Sequence, residues 1–402
     1  GAVKQRLYRA RQKLKEGMNM SREFGIMSYK PESINFTYNT SRHHTQDGEP
    51  MNSTGRLLGK NLLLAAYRTP SAADELAIEL GVALPYVEDE LRNLERLTLM
   101  RKNGNKYETN FFIISAAAQA KMYDHIKSVA QEFTERVTKY LDAEEGFRNA
   151  NGYWHEGGQT PEDMRWARLM DFVSFGVYGE VAWKRRGSRK GGEKTGRIVG
   201  KSGHTVRPNG GEWDVIGYEI SKTDFESIGC HGMGLDELDG TKLLQYKFYN
   251  RVNTPYTLSQ TQAEALVAAA RENLSGVSRD TLRELTDFGY LREDGGGGFL
   301  PTFRVTFKDK LPPFTSEQRA ELDRLLSLAA DVAEEHCDYC DGVIRDEVPA
   351  FLKNDSELIA QAIVNMLLID IRGAALVETL KSGWLTWDPN RDNRALGMFL
   401  EL

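Results

Sequence analysis

Apolar residues recur at helical spacing over long stretches of this chain and alternate over a few short ones. The order of the two patterns divides the sequence. Residues 3–15 place Val3, Leu7, Ala10 and Leu14 on one helical face, with the remaining positions mostly cationic. Residues 19–54 turn to Ser, Thr, Asn, His, Pro and Gly without a sustained period, which predicts a linker. A helix is then expected over 56–67. Thr69-Pro70-Ser71 starts a second, which carries Asp74 and Glu75 in its first turn and stops at Gly81. A third, over 84–97, aligns Val87, Leu91, Leu94 and Leu97. Residues 99–102, the turn Asn103-Gly104-Asn105 and residues 106–114 read as a hairpin.

Three helices followed by a hairpin predict a winged helix-turn-helix over 55–115. Small Ala77 suits a close helix crossing, and Gly81 suits a left-handed turn. The pattern then returns. Residues 89–104 align without gaps onto 280–295, matching Asp89/Asp280, Leu91/Leu282, Arg92/Arg283, Leu94/Leu285, Arg101/Arg292 and Gly104/Gly295. Long helical patterns follow both segments (116–141 and 316–341), then apolar helices (164–177 and 357–380) and strand–turn–strand patterns (205–220 and 384–400). The second copy leaves only a few residues between its helices at 259–271 and 278, and its turn is Gly295-Gly296-Gly297-Gly298. It therefore reads as degenerate. The expectation is an α+β chain of winged helix-turn-helix modules, long helices and small antiparallel hairpins, in two pseudo-repeats. The expected segments are 1–18, the linker 19–54, a winged module 55–115, a helix-plus-hairpin domain 116–250, a degenerate winged module 251–311 and a second helix-plus-hairpin domain 312–402.

Charge sharpens the picture. The chain carries a net charge of −6, yet residues 1–15 hold only basic ionisable groups and residues 184–201 hold eight basic groups against Glu193. Two concentrated cationic segments on an acidic body point to local contact with a polyanion. A hydrophobic content of 40% supports buried cores and excludes a wholly disordered chain. The most apolar stretch, 362–371, is broken by Asn365 and Asp370 and falls short of the ~20 residues a bilayer requires. Cys230, Cys337 and Cys340 are too few for a disulfide scaffold. No apolar run follows the basic start as it would in a secretory signal. The expected setting is cytoplasmic, without membrane contact.

At Val3-Lys4-Gln5-Arg6-Leu7-Tyr8-Arg9-Ala10-Arg11-Gln12-Lys13-Leu14-Lys15 the sequence resembles the end of region 4 in bacterial sigma factors of the extracytoplasmic-function type. The resemblance covers about thirteen residues. It implies a recognition helix in the major groove of promoter DNA, with Lys4, Arg6, Arg9 and Arg11 at its phosphate- or base-facing positions. It also implies RNA polymerase core as a partner, through sigma regions upstream of this helix, and a chain that starts inside region 4. The remainder would be a regulatory C-terminal extension. Arg185, Arg186, Arg189 and Lys190 are candidate phosphate contacts from the second basic segment, and Arg101 and Lys102 from the first wing. The third helix of that module carries Glu88, Asp89, Glu90 and Glu95 against Arg92 and Arg96, which favours protein contact or dimerisation over base reading. A regulatory protein, a small ligand and a second copy of the chain are the further partners considered. The alternative function is a ligand-sensing or protein-interaction module that does not touch DNA.

Other chemistry finds less support. Residues 196–202 have Gly and Lys-Ser spaced one residue too closely for a phosphate-binding loop. The Cys337–Cys340 pair has no matching second pair to complete a zinc site, so no metal or other cofactor is expected. Acid pairs such as Asp236-Glu237 and Asp346-Glu347 lie in charged surroundings, and no catalytic residues are assigned. Trp154, Trp166, Phe172, Phe175 and Trp183 could line a pocket, but at helical spacing they read as core.

Overall fold

The computed structural model describes residues 24–42, 49–152, 160–186, 204–206, 212–220, 228–234, 241–248, 258–388 and 395–402. In chain order it begins with α1 (Ile26–Tyr29), β1 (Ile34–Arg42), α2 (Met51–Gly55), α3 (Leu57–Arg68), α4 (Ala73–Leu80) and α5 (Leu84–Arg96). Next come β2 (Met100–Asn103), β3 (Lys106–Thr109), β4 (Ile113–Ile114), α6 (Ala116–Ala150) and α7 (Pro161–Asp171). A π-helical stretch, Phe172–Val177, joins α7 to α8 (Tyr178–Arg186). Strands β5 (His204–Val206), β6 (Glu212–Glu219), β7 (Ile228–Gly234) and β8 (Lys242–Phe248) precede α9 (Gln260–Ala270) and α10 (Arg279–Asp287). The chain ends with β9 (Leu291–Glu293), β10 (Phe299–Pro301), β11 (Arg304–Thr306), α11 (Ser316–Glu347), α12 (Ser356–Ser382) and β12 (Met398–Glu401). The fold is α+β.

Two compact units divide the chain. The first comprises 1–120, 192–222 and 343–362, and the second 121–191, 223–342 and 363–402.

In the first unit, α3, α4 and α5 converge on a core of Leu62, Leu63, Leu76, Val87, Leu91 and Leu94. Local chemistry sets their ends. The Glu75 carboxylate accepts the Ala72 amide at 2.8 Å, covering an orphan donor at the start of α4. Gly81 closes that helix at φ +65°, a conformation that disfavours a side chain. Beside this core, β6 lies between β1, antiparallel to it (Phe36↔Gly217), and β4, parallel to it (Ile113↔Gly217). Gly217 packs closely there, and a Cβ would stand 3.0 Å from the Phe111 ring. Arg68 ties the sheet end to its neighbours, reaching Glu32 and Glu219 at 2.7 Å each.

Two expectations change in this unit. The stretch expected to be a linker contains β1, whose Ile34 is wholly buried. Ile34, Phe36 and Tyr38 alternate with polar residues, a period-two pattern that the surrounding polar composition obscures. The second strand of the hairpin stops at Thr109, and Ile113–Ile114 leaves it to pair with β6.

In the second unit, β8 pairs with both β7 and β12, and β12 pairs in parallel with β11 (Val305↔Leu400). Here α9, α10 and the β9–β10 hairpin enclose Leu266, Leu282, Leu285, Phe303 and Leu400. Ser259 and Gln262 form a reciprocal cap on α9. The glycine turn of the hairpin is held from below, since Asp294 Oδ1 accepts the amides of Gly296 (2.8 Å) and Gly298 (2.9 Å). No strand forms over 384–388, so the closing feature there is β12 alone among the described residues, in place of the expected hairpin.

Helix α12 extends well beyond the apolar run seen in the sequence. Leu358–Ser382 is long and apolar enough, by length and composition, to cross a membrane, but 78% of its most apolar window is buried inside the protein. A core helix meets the same criteria.

Candidate functional site

The candidate recognition surface lies on the first unit, where the turn at Gly81 sets α5 against α4. The buried face of α5 holds Val87, Leu91 and Leu94. Its other face presents Glu88, Asp89, Arg92, Glu95 and Arg96 to solvent. Glu90 departs from the expected acidic face. It turns inward and pairs with Arg56 at 3.2 Å, while burial raises its carboxyl above the ordinary range, only partly offset by Arg56. Both exposed arginines are engaged on the helix itself. Arg92 pairs with Asp89, and Arg96 donates to the Asn93 side chain at 2.8 Å. The face is thus mildly acidic, with its two cations held down.

Apolar groups border it. Tyr86 is 69% exposed, Leu84 and Ile78 are partly exposed, and Ile26 and Tyr29 of α1 stand open on the helix that packs against α4. Periodicity places Leu84 on the stripe of Val87, Leu91 and Leu94, so its partial exposure in the first turn of α5 was not legible in the sequence. The exposure of Ile26 and Tyr29 follows from how α1 sits on α4, where the Gly25 amide donates to the Ile78 carbonyl at 3.1 Å.

The candidate residues of the β2–β3 hairpin serve different ends. The Arg101 guanidinium donates to Glu108 at 2.9 Å and to the Phe351 carbonyl at 2.7 Å. Glu108 is buried and also accepts from the Asn103 side chain at 3.2 Å. Arg101 thus holds the hairpin internally, while its side chain stays 39% exposed. Lys102 is exposed, with its ammonium 5.3 Å from the centre of the Tyr107 ring. Lys4, Arg6, Arg9, Arg11, Arg189 and Lys190 lie outside the described residues. Arg185 and Arg186 fall in the last turn of α8.

Among the aromatic candidates, Trp166 and Phe172 are buried core, whereas Phe175 is half exposed. Trp154 lies outside the described residues, and Trp183 falls on α8. Cys337 and Cys340 are both buried and free of disulfides. No family model, curated protein or solved structure matches the chain.

Proposed function

We propose that the chain acts in transcription, as the C-terminal extension of a sigma-factor-like protein. In this reading α3, α4, α5, β2 and β3 form a winged helix-turn-helix, and α9, α10, β9 and β10 form its degenerate copy. The carrying observation is the run of three helices and a hairpin turned at Gly81. Matching strand order in the two units supports the repeat. In each, the strand after the hairpin (β4, β11) pairs in parallel with the strand that follows the long helices (β6, β12). That strand in turn pairs antiparallel with one preceding the module (β1, β8). Promoter contact falls to the basic segments 1–15 and 184–201, and contact with RNA polymerase core to sigma regions upstream of the region 4-like helix.

A second reading has the module docking protein while the chain leaves DNA alone. The mildly acidic, apolar-bordered face of α5 favours it, since DNA affinity rests largely on phosphate neutralisation. Duplex binding followed by fluorescence anisotropy across a salt series separates the two. Replacing Arg6, Arg9 and Arg11 by Ala should flatten the slope of log K against log salt by about two to three units, at ~0.9 per phosphate contact. Arg92→Ala should change the slope little, because the exposed face of α5 is net acidic. A slope that survives loss of these three arginines and of Arg185, Arg186, Arg189 and Lys190 refutes DNA contact by both basic segments and leaves protein docking as the function.

A further inference from the structure

In the second unit, His336 and Cys340 stand four residues apart on α11 and so share one helical face. Asp370 meets them from α12. His336 Nε2 lies 2.8 Å from Asp370 Oδ2 and 3.4 Å from Cys340 Sγ, and the three donor atoms all lie within 4.8 Å of one another. His336 and Cys340 are wholly buried, and Asp370 nearly so. The far side of the imidazole is also occupied. His336 Nδ1 is 3.0 Å from Nδ1 of His125, whose ring stacks on Tyr339 with centroids 4.1 Å apart.

Hydrogen bonding alone serves this arrangement poorly. A ring nitrogen offers one proton or one lone pair, yet Nε2 faces a carboxylate and a sulfur at once. The ion pair of Asp370 among the described residues is with His336, and no lysine or arginine joins it.

We infer that His336, Cys340 and Asp370 form a binding site for a divalent cation of the zinc class. One nitrogen, one sulfur and one oxygen donor suit that borderline-soft ion. Bonds of ~2.0 Å to N and O and ~2.3 Å to S place tetrahedral ligands about 3.3–3.5 Å apart. The nitrogen–sulfur separation already fits, and the nitrogen–oxygen pair needs to open by about half an ångström. Coordination through Nε2 leaves the proton on His336 Nδ1, which then donates to His125 and fixes the ring. Water takes the fourth position. The bound ion pins α11 to α12 inside this unit and contributes folding free energy. The sequence showed only the two cysteines of 337–340. The ligand set instead uses one of them, the histidine one turn before it, and an aspartate thirty residues further on.

The full chain, stripped by a chelator and reloaded with zinc, should retain one equivalent by elemental analysis, and its thermal midpoint should rise relative to the chelated chain. Loading with cobalt(II) should give a thiolate-to-cobalt charge-transfer band. That band should vanish in Cys340→Ser and Asp370→Asn and persist in Cys337→Ser. An unaltered chain that retains no metal and shows no cobalt band overturns the proposal, whether or not the variants fold. A band that survives both Cys340→Ser and Asp370→Asn overturns it equally, and the cluster is then a hydrogen-bonded core network.

Discussion

Arg168 offers a sharp test of how the second unit holds together. Its guanidinium is 4% exposed and reaches Glu145 at 2.8 Å, Glu144 at 3.1 Å and the Leu141 carbonyl at 2.9 Å. Arg168→Ala removes all three bonds and leaves two mostly buried carboxylates behind. Breaking a buried ion pair from one side costs about 3–5 kcal/mol. Two features soften the loss: Glu144 keeps Arg148 at 2.7 Å, and Glu145 retains access to water. The expected destabilisation is therefore about 2–4 kcal/mol near neutral pH. Arg168→Lys should recover part of it, since an ammonium carries the charge without the fork.

The pH dependence provides an independent check. Burial alone would raise the Glu144 carboxyl, but the charges of Arg168 and Arg148 outweigh it and hold it below the ordinary 4.5. A carboxylate depressed in the folded state adds stability above its unfolded pKa and loses it as pH falls through the folded value. Without Arg168 the depression shrinks, so the variant has less to lose on acidification. The gap between the two proteins should be widest at pH 7 and narrow towards pH ~3. Urea unfolding followed by tryptophan fluorescence is the assay, because buried Trp166 sits two residues before Arg168. A gap under about 1 kcal/mol at pH 7, or one that stays constant with pH, refutes the argument.

Two further substitutions probe packing. Leu94 is fully buried in the first core, so Leu94→Ala should cost about 3–5 kcal/mol by thermal or urea unfolding, and a loss under 1 kcal/mol would show that the three helices are not packed as described. Gly397 lies against β8, where an added Cβ would come within 2.3 Å of the Tyr246 carbonyl; Gly397→Ala should cost about 1–3 kcal/mol and speed proteolysis near β12. Gly342, mid-helix in α11 with open space around it, is the contrasting control, and Gly342→Ala should gain up to about 1 kcal/mol. Equal effects at the two glycines would refute the close approach of β12 to β8.

The helices of this chain could be read locally because their determinants act within one or two turns. The stripe of Val87, Leu91 and Leu94, the stop at Gly81, the cap at Ser259 and the turn at 103–105 each need only neighbours in sequence. Helix bounds accordingly agree with the expected ones to within a few residues from α3 to α5 and at α12, while α6 and α11 run further than their apolar patterns. Strand partners were different. That Ile34–Arg42 is a strand depends on Glu212–Glu219 lying beside it, about 180 residues away, and polar composition hid its alternation. Only packing decided that Glu90 turns inward to Arg56, that Arg101 holds Glu108 and that Asp370 reaches His336. A charged side chain has the same letter in the sequence whether water or protein solvates it. What distinguishes the two cases is the desolvation cost and the partner that offsets it, and both exist only once distant segments have come together.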